Sequence, residues 1–363
     1  MKDEHKGGLS RRGFLKALGL GGASLAASAA ALPARALAAQ EEVRTLPGQE
    51  LATLHDLSRC VGCGACVEAC RESNGFKYPE PQKPFPEMYP PRVKAEDWSE
   101  KRDVDDRLTP YNWLFLQSAE VEQDGETYEI NIPRRCMHCQ NPPCANLCPW
   151  GAAGREKNGI VRINDQVCLG GSKCKSVCPW HIPQRQTGVG LYLDILPRFA
   201  GNGVMYKCDR CHQLVAEGQA PACVSACPYD VQTIGPREEI VQKAHELAES
   251  MNGYIYGEHE NGGTNTLYVS PVPFDKLHAA LKDSQQIDSK KGRPGLEPFP
   301  DMMSAEENMA EAALIAPFAG IAAGLVAAGR AMFGRGEASG RSGAPGEGPA
   351  NNESRDKEGG HED

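Results

Sequence analysis

Fifteen cysteines fall into four groups along the chain, and their spacing is the feature that most limits how this sequence can fold. The first group reads C-x2-C-x2-C-x3-C, the second C-x2-C-x4-C-x3-C-P and the fourth C-x2-C-x11-C-x3-C-P, while the third has three members and ends in C-P. In chain order the groups are Cys60, Cys63, Cys66 and Cys70; Cys136, Cys139, Cys144 and Cys148; Cys168, Cys174 and Cys178; and Cys208, Cys211, Cys223 and Cys227. Three closely spaced thiolates with a fourth before proline are typical of ferredoxins with two clusters, in which the fourth thiolate binds the other cluster. The pattern therefore predicts two such units and four iron-sulfur clusters.

The third group lacks one ligand. Aligned with C-x2-C-x2-C-x3-C-P, it has Gly171 where the second thiolate belongs. A cubane corner without a thiolate loses its iron readily, so Gly171 predicts one [3Fe-4S] cluster beside three [4Fe-4S] clusters. The alternative is a four-iron cluster completed by water or by Ser172.

Other uses of these cysteines explain less of the pattern. Cys208, Cys211 and His212 match the C-x-x-C-H motif of c-type haem, but haem attachment would leave Cys223 and Cys227 without a role. Zinc ribbons use pairs of C-x2-C and give no reason for the C-P endings. Disulfides are the default in an exported chain, yet an odd number of cysteines at cluster spacing argues against them.

The N-terminus resembles a twin-arginine export signal. Arg11 and Arg12 precede Phe14 and Leu15, an Ala/Gly/Leu stretch follows, and Ala36-Leu37-Ala38 is a small-residue cleavage site. Proteins on this route cross the membrane folded, so clusters can be assembled in the reducing cytoplasm. Residues 1–38 are predicted to be a signal peptide, and the mature protein is expected on the periplasmic side of the inner membrane.

Charge excludes one class of partner. The chain has 39 basic and 48 acidic residues and a net charge of −9, and the basic leader makes the remainder more acidic still. This balance argues against nucleic acid and allows docking to a basic redox protein.

The remaining chain is predicted to be one duplicated cluster domain with appendages. The fold class is α+β: a duplicated bacterial ferredoxin-like domain, two dicluster units over residues 51–282, with irregular insertions and a C-terminal transmembrane helix. The insertion, 71–135, has six prolines between Pro79 and Pro91 and is expected to be an extended arm or a loop over the clusters. A linker at 283–310, a membrane anchor at 311–333 built on the uncharged run Ala312–Gly329, and a disordered tail at 334–363 follow.

Local patterns predict a few regular elements. Asp124-Gly125 and Asn158-Gly159, each beside alternating apolar residues, predict hairpins. Residues 236–250 predict a helix with Ile240, Val241, Ala244 and Leu247 on one face. Residues 182–199 carry several apolar side chains and are predicted to be either core or a docking surface.

The whole arrangement resembles a known family. Besides the cysteine motifs, the leader and the expected anchor, the resemblance rests on Ala216-Glu217-Gly218, Tyr256-Gly257-Glu258, Gly262-Gly263-Thr264 and Val272-Pro273-Phe274. Over about residues 55–335 the chain is similar to the iron-sulfur subunits of periplasmic membrane redox complexes, especially hydrogenase-2-type enzymes and the high-molecular-weight cytochrome complex of sulfate reducers. Gly171 departs from both, which have cysteine there. Nitrate-reductase-like subunits have a tryptophan at that position together with a [3Fe-4S] cluster.

The resemblance implies how the ligands are shared. The first and fourth motifs would hold one cluster with Cys60, Cys63, Cys66 and Cys227 and another with Cys208, Cys211, Cys223 and Cys70. The second and third would hold one with Cys136, Cys139, Cys144 and Cys178 and another with Cys168, Cys174 and Cys148. In nitrate-reductase-like subunits the three-iron cluster lies at the membrane end, so the Gly171 site is expected where electrons enter or leave.

The expected function is electron transfer without catalysis by this chain. Single electrons would pass between a hydrogenase-like catalytic subunit or a multihaem cytochrome c and an integral membrane subunit that reacts with quinone. The alternatives are the electron-transfer subunit of a molybdopterin enzyme such as formate dehydrogenase, or a cluster-based regulatory protein. His138, His181 and His212 adjoin cysteines and are expected to hydrogen-bond or pack around the clusters rather than to bind iron.

Overall fold

The computed structural model describes residues 49–90, 94–195, 197–199, 201–316, 321 and 325. The strands are β1 (Leu51–Asp56), β2 (Phe115–Gln123), β3 (Glu126–Arg134), β4 (Ala153–Arg155), β5 (Val161–Ile163), β6 (Gln184–Gln186), β7 (Val204–Tyr206), β8 (Gln232–Pro236), β9 (Tyr254–Tyr256) and β10 (Thr266–Ser270). The helices are α1 (Ala65–Asn74), α2 (Pro143–Asn146), α3 (Lys173–Ser176), α4 (Tyr192–Ile195), α5 (His212–Ala216), α6 (Ala222–Ser225), α7 (Arg237–Met251) and α8 (Phe274–Asp283).

One sheet gathers strands from distant parts of the chain. Its order is β8-β1-β10-β9, with β1 antiparallel to β8 and parallel to β10. Every residue of β1 is buried, since the strand has a neighbour on each side and packed layers on both faces. The first strand of the described chain is therefore central to the fold.

Helix α7 covers one face of this sheet. Ile240, Ala244 and Ala248 repeat every four residues along the helix, and they pack against Ala52, Leu54, Leu267 and Val269 of β1 and β10. The predicted helix at 236–250 is confirmed to within a residue at each end, because the apolar stripe follows the helical period.

The two predicted hairpins are also confirmed. Strands β2 and β3 pair along nine residues each, and both Asp124 and Gly125 between them have positive φ, as a type I′ turn requires. Strands β4 and β5 flank Asn158-Gly159, where Gly159 has φ +80°. Two short strands, β6 and β7, form a further pair after the third motif.

The insertion at 71–135 is more than the expected extended arm. Its proline-rich first part has little regular structure, whereas its second part enters the core, where Tyr111, Trp113 and Phe115 are buried. Trp113 stacks on Tyr206 at 6.5 Å between ring centroids. The expected linker at 283–310 also packs on the body, since Leu296 and Met303 are buried. Both differences arise because isolated apolar residues in proline-rich or polar sequence still find partners when the chain lies on the domain.

The apolar segment at 182–199 divides into two parts. Leu191 and Leu193 are half-buried and pack in the cluster around Tyr192, whose hydroxyl accepts a hydrogen bond from the Gly188 backbone N–H at 3.0 Å. Ile195 and Phe199 are exposed. Leu196 lies outside the described residues.

The predicted transmembrane helix at 311–333 is a wrong prediction. Among the described residues, no helix is long and apolar enough to cross a membrane. Residues 306–316 are helical, but this helix begins with Glu306 and Glu307, and Glu311 forms an ion pair with Lys173 of α3. The run that suggested a span consists largely of alanine and glycine, which contribute little apolar surface.

The predicted leader at 1–38, most of 317–333 and the tail at 334–363 lie outside the described residues.

Candidate iron-sulfur centres

Thiols from two distant motifs line one cavity. Cys60, Cys63 and Cys66 come from the loop before α1 and from its first turn, and Cys227 comes from the fourth motif. The rest of the wall is mainly apolar and contains no carboxylate. Four soft sulfur donors around a small apolar cavity fit an iron-sulfur cluster and do not fit a hard cation.

A second cavity has the same construction. It is lined by Cys136, Cys139 and Cys144 of the second motif together with Cys178 of the third, with Lys207 at its edge. All four of these cysteines are buried.

The other cysteines form two further groups. Burial raises the pKa of the Cys70 thiol well above its usual value, and the nearby sulfurs of Cys223, Cys208 and Cys211 raise it further. Burial likewise raises the pKa of the Cys174 thiol, and the nearby sulfur of Cys168 raises it further. Cys148 is among the other neighbours that act in the same direction. Such thiols would keep their protons in an empty protein, so cluster binding must remove them.

Contacts between the groups give their order. Neighbouring groups are linked by pairs of thiols close enough to affect each other's ionisation: Cys66 with Cys223, Cys208 with Cys136, and Cys144 with Cys174. The first group has an exposed thiol, Cys63, and the last has the half-buried Cys148, while every cysteine of the two middle groups is buried. The structure thus brings the fifteen cysteines into a linear array with accessible ends.

Each motif uses the same backbone turn. The second residue after the first cysteine has a left-handed φ between +49° and +69° in all four motifs, and these residues are Gly62, His138, Gly170 and Arg210. The turn aims backbone N–H groups at sulfur: Gly170 N lies 3.5 Å from Cys168 Sγ, and Arg210 N lies 3.4 Å from Cys208 Sγ. Because non-glycine residues adopt this conformation at a cost, its recurrence at His138 and Arg210 indicates a functional constraint.

The first and third motifs share more than this turn. In both, the residue four positions after the first cysteine is left-handed and the next residue starts a helix, so Gly64 before α1 corresponds to Ser172 before α3. Gly171 therefore occupies the place of Cys63, and a Cβ added there would meet no other atom within 4 Å. The Ser172 hydroxyl lies 3.4 Å from Met205 Sδ.

Two buried cations contact cysteine sulfur, and the sequence analysis missed both. Arg135 donates from Nη1 to Cys223 Sγ at 2.9 Å, and Lys207 donates from Nζ to Cys136 Sγ at 3.4 Å. Both residues directly precede a cysteine of a motif, which is the signal that could have found them.

The histidines near the motifs hold the surrounding structure. His138 Nδ1 accepts a hydrogen bond from Val161 N at 3.0 Å, and burial, then Arg210 and Lys207, lowers its pKa well below the usual value, so the ring is neutral. His212 is half-buried beside Asp209, and His181 takes the left-handed conformation after Cys178-Pro179.

All fifteen cysteines are free thiols, so none forms a disulfide. Within the described ranges, no three His, Cys, Asp or Glu side chains meet closely enough to hold a single metal ion.

Two family models match overlapping parts of the chain that together contain all four motifs. A model described as 4Fe-4S dicluster domain matches residues 59–152, and a second model of the same description matches residues 128–237. Fold and thiol groups therefore define a duplicated dicluster ferredoxin-like protein.

Similar proteins show more closely which class of iron-sulfur protein this chain belongs to. A protein of Nitratidesulfovibrio vulgaris is 31% identical over 272 residues, 73% of this chain and 65% of its own length, so the chain spans less than two thirds of that relative. The hydrogenase-2 operon protein HybA of Escherichia coli O157:H7 is 30% identical over 307 residues, 74% of this chain and 83% of its own. The iron-sulfur subunit of the nitrate-inducible formate dehydrogenase of E. coli K12 is 28% identical over 282 residues, 75% and 83% of the two chains. The chain belongs to this family of iron-sulfur subunits of respiratory oxidoreductase complexes.

Proposed function

We propose that this chain is the electron-transfer subunit of a respiratory oxidoreductase complex and that it relays single electrons through three [4Fe-4S] clusters and one [3Fe-4S] cluster. The observation that carries the proposal is the linear array of four cysteine groups, buried in the middle and accessible at both ends. A sensor needs one responsive cluster, whereas a series of clusters suits transfer across the molecule.

The ligand sets follow the grouping of thiols. The first cluster is held by Cys60, Cys63, Cys66 and Cys227, the second by Cys70, Cys208, Cys211 and Cys223, the third by Cys136, Cys139, Cys144 and Cys178, and the fourth by Cys148, Cys168 and Cys174. The three-thiolate set, with Gly171 in the place of Cys63, supports [3Fe-4S] at the fourth position.

When bound, the clusters supply one-electron chemistry, and the protein supplies their setting. It buries the middle positions from water, directs backbone N–H groups at sulfur in the third and fourth motifs and places cations beside Cys223 and Cys136. Hydrogen bonds to sulfur, charge and burial are the means by which a protein sets cluster potentials. We assign no catalytic residue to this chain.

Two kinds of partner fit the array. A hydrogenase-type catalytic subunit or a multihaem cytochrome would exchange electrons at one end, and a quinone-linked membrane subunit at the other. The similarity to a formate dehydrogenase subunit supports a molybdopterin enzyme as a second candidate for the catalytic partner.

Anaerobic purification of the full chain tests the cofactor content. We expect about 15 irons per chain and, in the oxidised protein, the EPR signal of one three-iron cluster. Sixteen irons without that signal would remove the three-iron cluster from the proposal.

A Cys70→Ser variant tests the ligand sharing. It should perturb only the second cluster, although Cys70 lies in the first motif, and a perturbed first cluster would show that the ligand sharing is wrong.

The export route is proposed from Arg11 and Arg12, the Ala/Gly/Leu stretch after them and the small-residue site Ala36-Leu37-Ala38. Changing both to lysine should leave the precursor, with its clusters, in the cytoplasm. A fractionation in which the variant still reaches the periplasm would contradict this route.

A further inference from the structure

Arg135 is a fully buried cation whose guanidinium has one hydrogen-bond acceptor among the described residues, the sulfur of Cys223. It follows β3 directly, and only 1% of the residue is exposed. Its Nη1 donates to Cys223 Sγ at 2.9 Å, while Nε and Nη2 are buried and have no hydrogen-bond acceptor among the described residues. A guanidinium keeps its charge in proteins, so it cannot escape the cost of burial by losing a proton.

The charged groups nearest to Arg135 belong mainly to the second cysteine group. The groups that favour the charge of Arg135 are Cys223, Cys208 and Cys70, all from the second set of ligands, and the phenol of Tyr268. No carboxylate forms an ion pair with Arg135 in the described part of the chain. An iron-sulfur cluster with four thiolates is an anion with further sulfur acceptors, and its place in the second group matches this gap.

Arg210 is an equally buried arginine of this region in which both Nη atoms have acceptors, although its Nε has none among the described residues. It is as deeply buried as Arg135, but it donates to Leu51 O at 2.8 Å, Asn265 O at 2.7 Å and Thr266 Oγ1 at 3.2 Å. Arg210 therefore joins β1 to β10, whereas Arg135 has no comparable structural task.

We propose that Arg135 is the counter-ion of the second cluster and that its free N–H groups donate hydrogen bonds to the sulfur atoms of that cluster. This inference rests on the ligand sets of the proposed function. A fixed positive charge and hydrogen bonds to sulfur stabilise the reduced, more negative state, so Arg135 raises the reduction potential of the second cluster.

The consequence concerns the distribution of electrons along the array. With the clusters bound, the step would be a one-electron exchange between the second cluster and a neighbouring one, in which no bond is made or broken and no proton moves. A higher reduction potential at the second cluster would favour placing the electron in the buried middle of the array. Arg135 thus acts as a positioning residue, through the cluster and not on a substrate.

The test is a redox titration, followed by EPR, of the full protein purified anaerobically with its clusters. Arg135→Gln removes the charge and is compared with Arg135→Lys, which keeps it. Arg59→Gln is the matched control, because Arg59 also directly precedes the first cysteine of a motif but is exposed to solvent, where its charge is screened. A Cys211→Ser variant identifies the signal of the second cluster.

In Arg135→Gln we expect the equilibrium constant for reduction of the second cluster to fall at least tenfold, which is 59 mV for one electron. In Arg135→Lys the reduction potential of the second cluster should lie between the values of Arg135→Gln and the wild type. In Arg59→Gln this potential should equal that of the wild type. An unchanged reduction potential of the second cluster in an iron-loaded Arg135→Gln protein would overturn the inference. An equal shift in the potentials of all clusters would also overturn it.

A second measurement decides the matter if Arg135→Gln does not load iron. Wild-type protein labelled with guanidino-15N arginine should show a 15N coupling to the reduced second cluster in electron-nuclear double resonance, and absence of this coupling would overturn the inference. Wild-type protein without clusters would instead refute the proposed function, so the two failures are distinguishable.

Discussion

The loops at residues 60–66 and 168–174 have left-handed residues at the same two positions and differ in one ligand. Both have a left-handed residue at the second position after the first cysteine and another two residues later, and both enter a helix at the next residue. Cys63 and Gly171 stand at the same place, and both are exposed. The comparison shows that the same left-handed turn forms whether or not the loop carries the second cysteine. A single side chain therefore determines which type of cluster the loop can bind.

The largest expected effect comes from making the third motif like the first. In Gly171→Cys the new side chain meets open space, so the thiolate can complete a four-iron cluster without distorting the loop. The three-iron EPR signal should disappear, iron should rise by about one per chain, and the potential of this cluster should fall. If the variant keeps the three-iron signal, Gly171 is not structurally equivalent to Cys63.

The reciprocal change should have a similar but less complete effect. In Cys63→Gly the first cluster keeps Cys60, Cys66 and Cys227, so oxidised protein should lose about one iron and gain a second three-iron signal. Iron analysis and spin quantitation of the oxidised protein measure the change. Retention of four irons at this site would mean that water or another side chain replaces the thiolate there.

A smaller effect, on stability, comes from the atoms that surround the first glycine of each loop. Alanine at Gly170 would have a left-handed φ and a Cβ 2.5 Å from the backbone oxygen of Gly203, whereas alanine at Gly62 would meet the movable side chain of Asn131 at 2.7 Å. Gly62→Ala should cost about 1–2 kcal/mol and Gly170→Ala about 2–4 kcal/mol. The rate at which cluster absorbance is lost in guanidinium chloride should therefore rise more for Gly170→Ala, and the opposite ranking would show that Gly203 can move.

The smallest expected effect tests whether serine completes the cluster. Ser172→Ala removes a hydroxyl that contacts Met205 Sδ, so iron content and the three-iron signal should not change. Loss of a four-iron cluster in this variant would identify Ser172 as a ligand and revive the alternative that the sequence left open.

The local elements were predictable because their signals are local. Asp124-Gly125 specifies a turn by its left-handed residues, and the spacing of Ile240 and Ala244 specifies a helix face. The cysteine motifs predicted two cluster units for the same reason, and the dicluster models confirm these units.

The long-range features were not predictable in this way. No local pattern in the sequence indicates that β1 lies between β8 and β10, which are far from it in the chain. Arg135 directly precedes Cys136 in the sequence, but only the fold shows that it lies beside Cys223. The predicted membrane helix is wrong, since no helix among the described residues is long and apolar enough to cross a membrane.

The central position of β1 has a consequence for the making of the protein. Its parallel partner β10 begins at Thr266, and Cys227, which shares a cavity with Cys60, also comes late in the sequence. At a synthesis rate of about 5–20 residues per second, β1 waits about 10–40 s on the ribosome before β10 exists. The first and second clusters need Cys227 and Cys223, so neither can be completed before this late part of the chain is made, whereas every cysteine of the third and fourth groups is present once Cys178 has been added.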